Sequence, residues 1–242
     1  MSAHSQDVKH CTWHPNQEIL ASCSYDNTIK LFKEEVDDWT CYATLESHNS
    51  TVWKICFNGD GHRLASVSDD QTMKIWQEYL PGNQEGIPTV GKDSAWKCVC
   101  TLSGYHNRTI FDVDWSPLTG RIVTGCGDDC IRVFTEDNVS DKNQPSFNLS
   151  VTVRKAHDQD VNSVKWNPKV ENLMASCSDD GTVKLWKYTD SDAWPWLFSI
   201  IVLISLRPYH SLSLFSIYII IVVRSYWADG LELLNEMICV LR

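Results

Sequence analysis

Apolar and polar residues alternate in short runs along most of the chain. Over Val161 to Trp166, Leu173 to Ser178 and Thr182 to Trp186 apolar residues are interspersed with polar ones, close to the period of a half-buried strand. Turn-forming pairs, Asn167-Pro168 and Asp180-Gly181, separate these runs. The same three-run unit occurs four times, over Ala3–Phe32, Ser47–Trp76, Tyr105–Phe134 and Ala156–Trp186. From an early histidine to the closing aromatic the spacing is 28 residues in three units and 29 in the last, whose extra residue falls near Val170. A further alternating run follows each of the first three units: Cys41 to Leu45, Lys97 to Leu102 and Phe147 to Val151. Four antiparallel strands recurring about every 40–45 residues predict the blades of a β-propeller. Two Gly-, Pro-, Asn- and Asp-rich loops, Glu78 to Ala95 and Glu136 to Pro145, stretch that period here. The predicted fold is all-β, with a propeller fragment over 1–190 and repeats at about 3–46, 47–103, 105–153 and 156–188.

Each unit carries a histidine, a hydroxyl residue and an aspartate at fixed offsets. They are His4, Ser22 and Asp26; His48, Ser66 and Asp70; His106, Thr124 and Asp128; and His157, Ser176 and Asp180. Trp76 and Trp186 close the second and fourth sets, whereas Phe32 and Phe134 stand at that place in the other two. A carboxylate at a strand turn can accept a hydrogen bond from an imidazole N–H, which a hydroxyl holds from its other side. Phenylalanine has no donor, so the first and third sets are expected to be one member short. The same residue types make a hydrolase triad. Four copies at one repeat position argue for a structural brace, because an enzyme needs a single site.

These sets resemble the hydrogen-bonded network of the WD40 family. The likeness extends into the connecting segments: QDVKH, EEVDDWTCYATLE, QEYLPGN, WKCVCTLSGYHNRTI, GDDCIRVFTED, AHDQDVNSVKWNPK and ASCSDDGTVKLWKY. Over Ser2 to Tyr188 the chain resembles the WD-repeat subunit of the cytosolic iron–sulfur assembly targeting complex. That resemblance implies a seven-bladed scaffold that joins a HEAT-repeat adaptor and a small α/β subunit. It would help deliver [4Fe–4S] clusters to cytosolic and nuclear client apoproteins without holding the cluster. It also implies a cytoplasmic protein, with the nucleus as a further compartment. Four of seven blades are expected here, as in a truncated form.

After Tyr188 the pattern changes. Two aliphatic runs, Trp194 to Leu206 and Leu212 to Val223, are split by Arg207, Pro208 and His210. Each is about a dozen residues, short of the roughly 20 that a spanning helix needs. The favoured reading of 191–242 is divergent sequence outside the family fold, with a packed closing segment and a membrane contact as alternatives. Trp227 to Leu241 could form a short amphipathic helix. No strand of blade type is expected after Trp186, so the fourth blade should lack its outer strand. The first and last blades should each expose an apolar flank.

Charge and cysteine usage narrow the function. A net charge of −10 leaves no cationic excess for phosphate backbones, which argues against nucleic acid. The ten cysteines include no CxxC pair; Cys98/Cys100 and Cys126/Cys130 lack metal-site spacing and read as reduced thiols in the core. No leader of charged then apolar residues opens the chain. No cofactor, metal or catalytic residue is expected, and membrane association is disfavoured. Propellers bind through loops around the channel mouth. By repeat position those loops carry Gln6 and Asp7, Ser50 and Thr51, Arg108 and Thr109, and Gln159 and Asp160, with Tyr25, Asp69, Gly127 and Asp179 beside each turn aspartate. Trp39 and Trp96 are expected to pack at the outer strands. The rival functions are a generic WD adaptor, such as a ubiquitin-ligase substrate receptor, and an enzyme; no phosphate loop or singular nucleophile supports the latter.

Overall fold

The computed structural model describes residues 3–36, 38–137, 143–187, 196–206 and 217–225. Among the described residues every regular element is a strand. The first blade is β1 (Val8–Trp13), β2 (Ile19–Ser24), β3 (Thr28–Glu35) and β4 (Asp38–Glu46), and the second is β5 (Val52–Phe57), β6 (Arg63–Ser68), β7 (Met73–Tyr79) and β8 (Ala95–Leu102). The third comprises β9 (Ile110–Trp115), β10 (Ile122–Cys126), β11 (Ile131–Glu136) and β12 (Phe147–Val153). The fourth begins with β13 (Val161–Trp166), β14 (Leu173–Ser178) and β15 (Thr182–Lys187). In every blade the strands follow chain order and pair antiparallel, as expected of alternating runs joined by tight turns.

The fourth sheet departs from the expectation. It gains β16 (Trp196–Leu206) and β17 (Ile217–Ser225), giving five strands. β16 pairs with β15 from Thr182↔Ile201 to Trp186↔Trp196. A blade strand therefore does follow Trp186. A free edge on β15 and a run rich in β-branched residues, Ile200, Ile201, Val202 and Ile204, explain the pairing. The suggested helix at Trp227 to Leu241 lies outside the described residues.

The first strands of successive blades sit side by side: β1 and β2 pack on β5, β5 and β6 on β9, and β9 and β10 on β13. Their last residues, Trp13, Phe57, Trp115 and Trp166, line one cavity of about 340 Å³. Four sheets arranged in order around inner strands that share a cavity make a run of propeller blades.

The core is three apolar layers, each between two neighbouring blades. Ile29, Leu31 and Leu45 of the first blade meet Val52, Ile55 and Leu64 of the second. Val67, Met73 and Ile75 of the second meet Ile110, Val113 and Ile122 of the third. Val123, Ile131 and Val133 of the third meet Val161, Val164 and Met174 of the fourth. Trp96 is buried in the first of these layers, while Trp39 meets Trp13 edge-on at 5.4 Å.

Position within the run decides burial. Val52, Ile110 and Val161 open their inner strands and are 0% exposed, because the preceding blade covers them. Val8 holds the same place in β1 and is 53% exposed. The apolar flank expected on the first blade is therefore present.

Polar ties supplement these layers. Buried Asp112 on β9 accepts hydrogen bonds from Ser163 Oγ at 2.5 Å and Val164 N at 2.9 Å, and lies 3.3 Å from Lys54 Nζ. Asp114 accepts from Trp166 N at 2.7 Å and pairs with Lys165. Burial pushes the Asp114 carboxyl up, against the pull of Lys165. One strand thus uses two carboxylates to fasten the third blade to its neighbours.

Candidate partner-binding face

The repeated polar set forms a chain of donors in the second and fourth blades. Trp76 Nε1 donates to Ser66 Oγ at 2.9 Å. Ser66 Oγ lies 2.7 Å from His48 Nε2, and His48 Nδ1 lies 2.8 Å from Asp70 Oδ2. A carboxylate can only accept, so Nδ1 carries the proton and Nε2 accepts the hydroxyl. The fourth blade repeats this, with Trp186 to Ser176 at 2.8 Å, Ser176 to His157 at 2.7 Å and His157 to Asp180 at 2.9 Å. In the first blade, which has Phe32, Ser22 lies 2.7 Å and Asp26 2.9 Å from the His4 ring.

Each of these three aspartates also closes its own turn. Asp70 Oδ1 accepts from Thr72 N at 2.9 Å and Thr72 Oγ1 at 2.6 Å, and Oδ2 accepts from Asn49 N at 3.0 Å. Thr28 and Thr182 serve Asp26 and Asp180 at the same 2.6 Å. Burial opposes the charge on Asp70, but the bonds from His48, Thr72 and Asn49 outweigh it and hold the carboxyl below its usual range. Asp26 and Asp180 are lowered for the same reasons.

The third blade is wired differently, which corrects the expectation for it. His106 Nε2 reaches Thr124 Oγ1 at 2.9 Å, but His106 Nδ1 has no hydrogen-bond partner among the described residues. Asp128 is instead gripped by Arg132 through both guanidinium nitrogens, at 2.9 and 2.6 Å. The substitutions responsible are local. Cys130 stands where the other repeats have threonine, and Arg132 where they have lysine. A fork of two N–H donors takes up both carboxylate oxygens, which also accept from Asn107 N at 3.4 Å and Cys130 N at 3.3 Å, so Arg132 replaces the ring as the carboxylate's main partner. Burial opposes the Asp128 charge, yet Arg132 brings its pKa down to about 2. Burial and the Arg132 charge together bring His106 down to about 3.

The residues singled out on the loops lie at one end of the blades and hold one another. Backbone bonds join each turn to the segment before the inner strand: Tyr25 N to Asp7 O at 3.0 Å, Asp69 N to Thr51 O at 3.0 Å, Gly127 N to Thr109 O at 2.9 Å and Asp179 N to Asp160 O at 3.3 Å. Side chains then tie neighbours: Thr109 donates to Asp69, Ser50 to Asp69 at 3.3 Å, and Arg108 meets Asp160 at 3.1 Å. Ser24, Ser68 and Ser178 cap the same loops through the carbonyls of Gln6, Ser50 and Gln159, at 3.1 to 3.3 Å.

Four residues not singled out from sequence complete this face. Each inner strand slips register by one near its start, leaving Lys9, Trp53, Phe111 and Asn162 without a cross-strand partner. Such bulges re-aim a side chain. Tyr25 meets Trp53 edge-on at 5.6 Å, and Trp53 meets Phe111 at 5.5 Å. Lys9 Nζ sits 3.7 Å from the Tyr25 ring centre and 5.5 Å from that of Trp53. A Cβ on Gly127 would lie 3.2 Å from Phe111 Cε2 and from Asp160 Oδ2, so glycine lets that ring lie close. Asn162 donates to Asp179 at 2.5 Å. The result is an aromatic lane across three blades, partly open to solvent.

The family described as WD domain, G-beta repeat matches residues 1–33, 39–77, 96–135 and 148–187, more than half of the chain. The chain belongs to the WD-repeat family. Within it, this WD-repeat chain is similar to proteins called probable cytosolic iron–sulfur protein assembly protein Ciao1 or CIAO1. The Aedes aegypti relative is 54% identical over 163 residues, 66% of this chain and 48% of that protein. The Nematostella vectensis homologue is 63% identical over 166 residues, 69% of this chain and 51% of that protein. The Homo sapiens protein is 60% identical over 111 residues, 46% of this chain and 33% of its own length. The chain spans about half the length of the first two.

Three further findings concern this WD-repeat chain. Among the described residues no group of three His, Cys, Asp or Glu side chains could hold a metal ion. Burial pushes the thiols of Cys23 and Cys126 up to about 12, which keeps them protonated at neutral pH. No helix of the described residues is long and apolar enough to cross a membrane.

Proposed function

We propose that this WD-repeat chain is a protein-binding scaffold of the cytosolic iron–sulfur assembly machinery and carries out no chemistry itself. It would help bring [4Fe–4S] clusters to client apoproteins in the cytoplasm and nucleus by docking a HEAT-repeat adaptor and a small α/β subunit. The observation that carries the scaffold reading is the fate of the polar sets. Every His–hydroxyl pair is spent on its own blade, and three of the four aspartates close the turn beside their histidine. The hydroxyls of these sets are buried, Ser66 and Thr124 at 0% and Ser176 at 2% exposed, so no substrate reaches them to be attacked. The iron–sulfur assignment rests on likeness to the named relatives, over 163 and 166 residues.

The docking surface in this reading is the face bearing Gln6, Asp7, Tyr25, Ser50, Thr51, Asp69, Arg108, Thr109, Gln159, Asp160 and Asp179. Cross-blade ties hold these loops in place before any partner arrives, which lowers the ordering cost of association. Affinity capture with the 242-residue chain separates this role from that of a generic adaptor. Recovery of a HEAT-repeat adaptor together with iron–sulfur apoproteins is the expected result. Recovery of ubiquitin-ligase subunits in their place overturns it.

A further inference from the structure

Resting on the reading of this face as the docking surface, we infer that the bulge residues give it a preference for a cationic partner segment, with arginine side chains seated on the Tyr25–Trp53–Phe111 lane. Three independent observations converge.

The first is geometry. Three blades contribute one ring each, in edge-to-face contact at 5.6 and 5.5 Å. The β-bulges place Trp53 and Phe111 there, while Val52 and Ile110 beside them are 0% exposed. A core role would have kept the aromatic side chains on the buried register. Gly127 stands beside Phe111 where any larger residue would crowd that ring.

The second is a cation already in place. Lys9 Nζ lies 3.7 Å from the centre of the Tyr25 ring and within reach of Trp53 at 5.5 Å. The chain thus places one of its own ammonium groups on the first ring of the lane. A guanidinium is planar and more weakly hydrated than an ammonium, so it stacks on aromatic faces more readily.

The third is charge. Around the lane lie Asp7, Asp69, Asp158, Asp160 and Asp179 against Lys9 and Arg108, the latter already meeting Asp160 at 3.1 Å. Arg154 and Lys155 directly follow β12, the outer strand of the third blade. Acid-rich flanks around half-buried π faces attract a basic segment and repel an acidic one.

The test uses the whole chain and a fluorescein-labelled peptide of three arginines spaced by glycines, with the glutamate counterpart as control. Anisotropy titrations give affinities, and indole N–H signals from ¹⁵N-tryptophan labelling report on Trp53, assigned through Trp53→Leu. The arginine peptide should bind, shift the Trp53 signal and lose about tenfold in affinity with Trp53→Leu. Asp69→Asn, which keeps the Thr109 acceptor, should also weaken it, more so at low salt. Melting curves of both variants should match the parent. Equal binding of the glutamate peptide, or an unmoved Trp53 signal at saturation, overturns the inference. Capture of the HEAT-repeat adaptor is scored on the same variants. If the peptide fails while Trp53→Leu still abolishes capture, the cationic preference is wrong and the docking face stands. If capture survives every substitution on this face, the docking reading falls with it.

Discussion

Replacing Asp70 with alanine should cost about 3 kcal/mol of stability, and the structure shows where that comes from. The carboxylate accepts from His48 Nδ1 at 2.8 Å, Asn49 N at 3.0 Å, Thr72 N at 2.9 Å and Thr72 Oγ1 at 2.6 Å. His48 is buried, so its stranded donor costs about 2 kcal/mol. Thr72 Oγ1 lies 3.3 Å from His48 Nδ1 and recovers part of this. The turn amides sit near solvent and add about 1 kcal/mol together. Urea unfolding followed by tryptophan fluorescence should show the midpoint falling by about 1 M, given a slope of about 3 kcal/mol/M. The effect should depend on pH in a set direction. Because folding lowers the Asp70 pKa, the carboxylate stabilises above its unfolded value near 3.9, and that contribution drains away at lower pH. The gap between parent and variant should therefore narrow below about pH 4. An unchanged midpoint at pH 7, or an equal gap at pH 3, would refute the brace.

Trp186→Phe removes the donor to Ser176 and little volume, so thermal melting should register a loss of about 1 kcal/mol. Phe32 and Phe134 already occupy that place in two blades, which is why the loss should be small. His10, held at about 4 by burial and Lys54, and His106, at about 3, stay neutral when folded. The unfolded chain binds protons that these groups refuse, so stability should fall as pH drops below about 6.5, by about 1.4 kcal/mol per unit for each. His106→Phe should flatten that slope, as read by urea midpoints between pH 7 and 5. Val52→Asp buries an unpaired carboxylate between blades and should abolish cooperative unfolding. Val8→Asp at the same repeat position is solvent-exposed and should move the melting point by no more than about 0.5 kcal/mol equivalent.

Outer strands such as β4 could be read from the sequence because they have one covered and one freer face, which writes period two into the residues, whereas β6 and β10 are buried on both faces and were legible from the repeat offsets. The His–hydroxyl–Asp sets were legible for the same reason a repeat is: identical offsets from a common start. Thr28, Thr72 and Thr182 belong to those sets and went unnoticed, although threonine two residues after each turn aspartate was a visible signal. Rewiring in the third blade could not be foreseen from residue types at the named positions, since the group responsible, Arg132, lies four residues beyond Asp128 and outside the named set. Bulges defeat pattern reading altogether. One extra residue shifts phase without changing composition, so Trp53 and Phe111 looked like ordinary strand positions. β16 was hidden because a long aliphatic run fits a buried strand as well as several other states, and only the free edge of β15 selects among them.

Hydrogen exchange of the chain with and without a HEAT-repeat adaptor tests most directly whether the brace and the docking face are separate. Slowed exchange is expected at Asp7–Lys9, Thr51–Trp53, Thr109–Phe111 and Asp160–Asn162 and at the turns beside Tyr25, Asp69, Gly127 and Asp179, with β2, β6, β10 and β14 unaltered. Protection confined to the opposite loops, around Pro15, Gly59, Leu118 and Val170, would place the partner on the other face and contradict it.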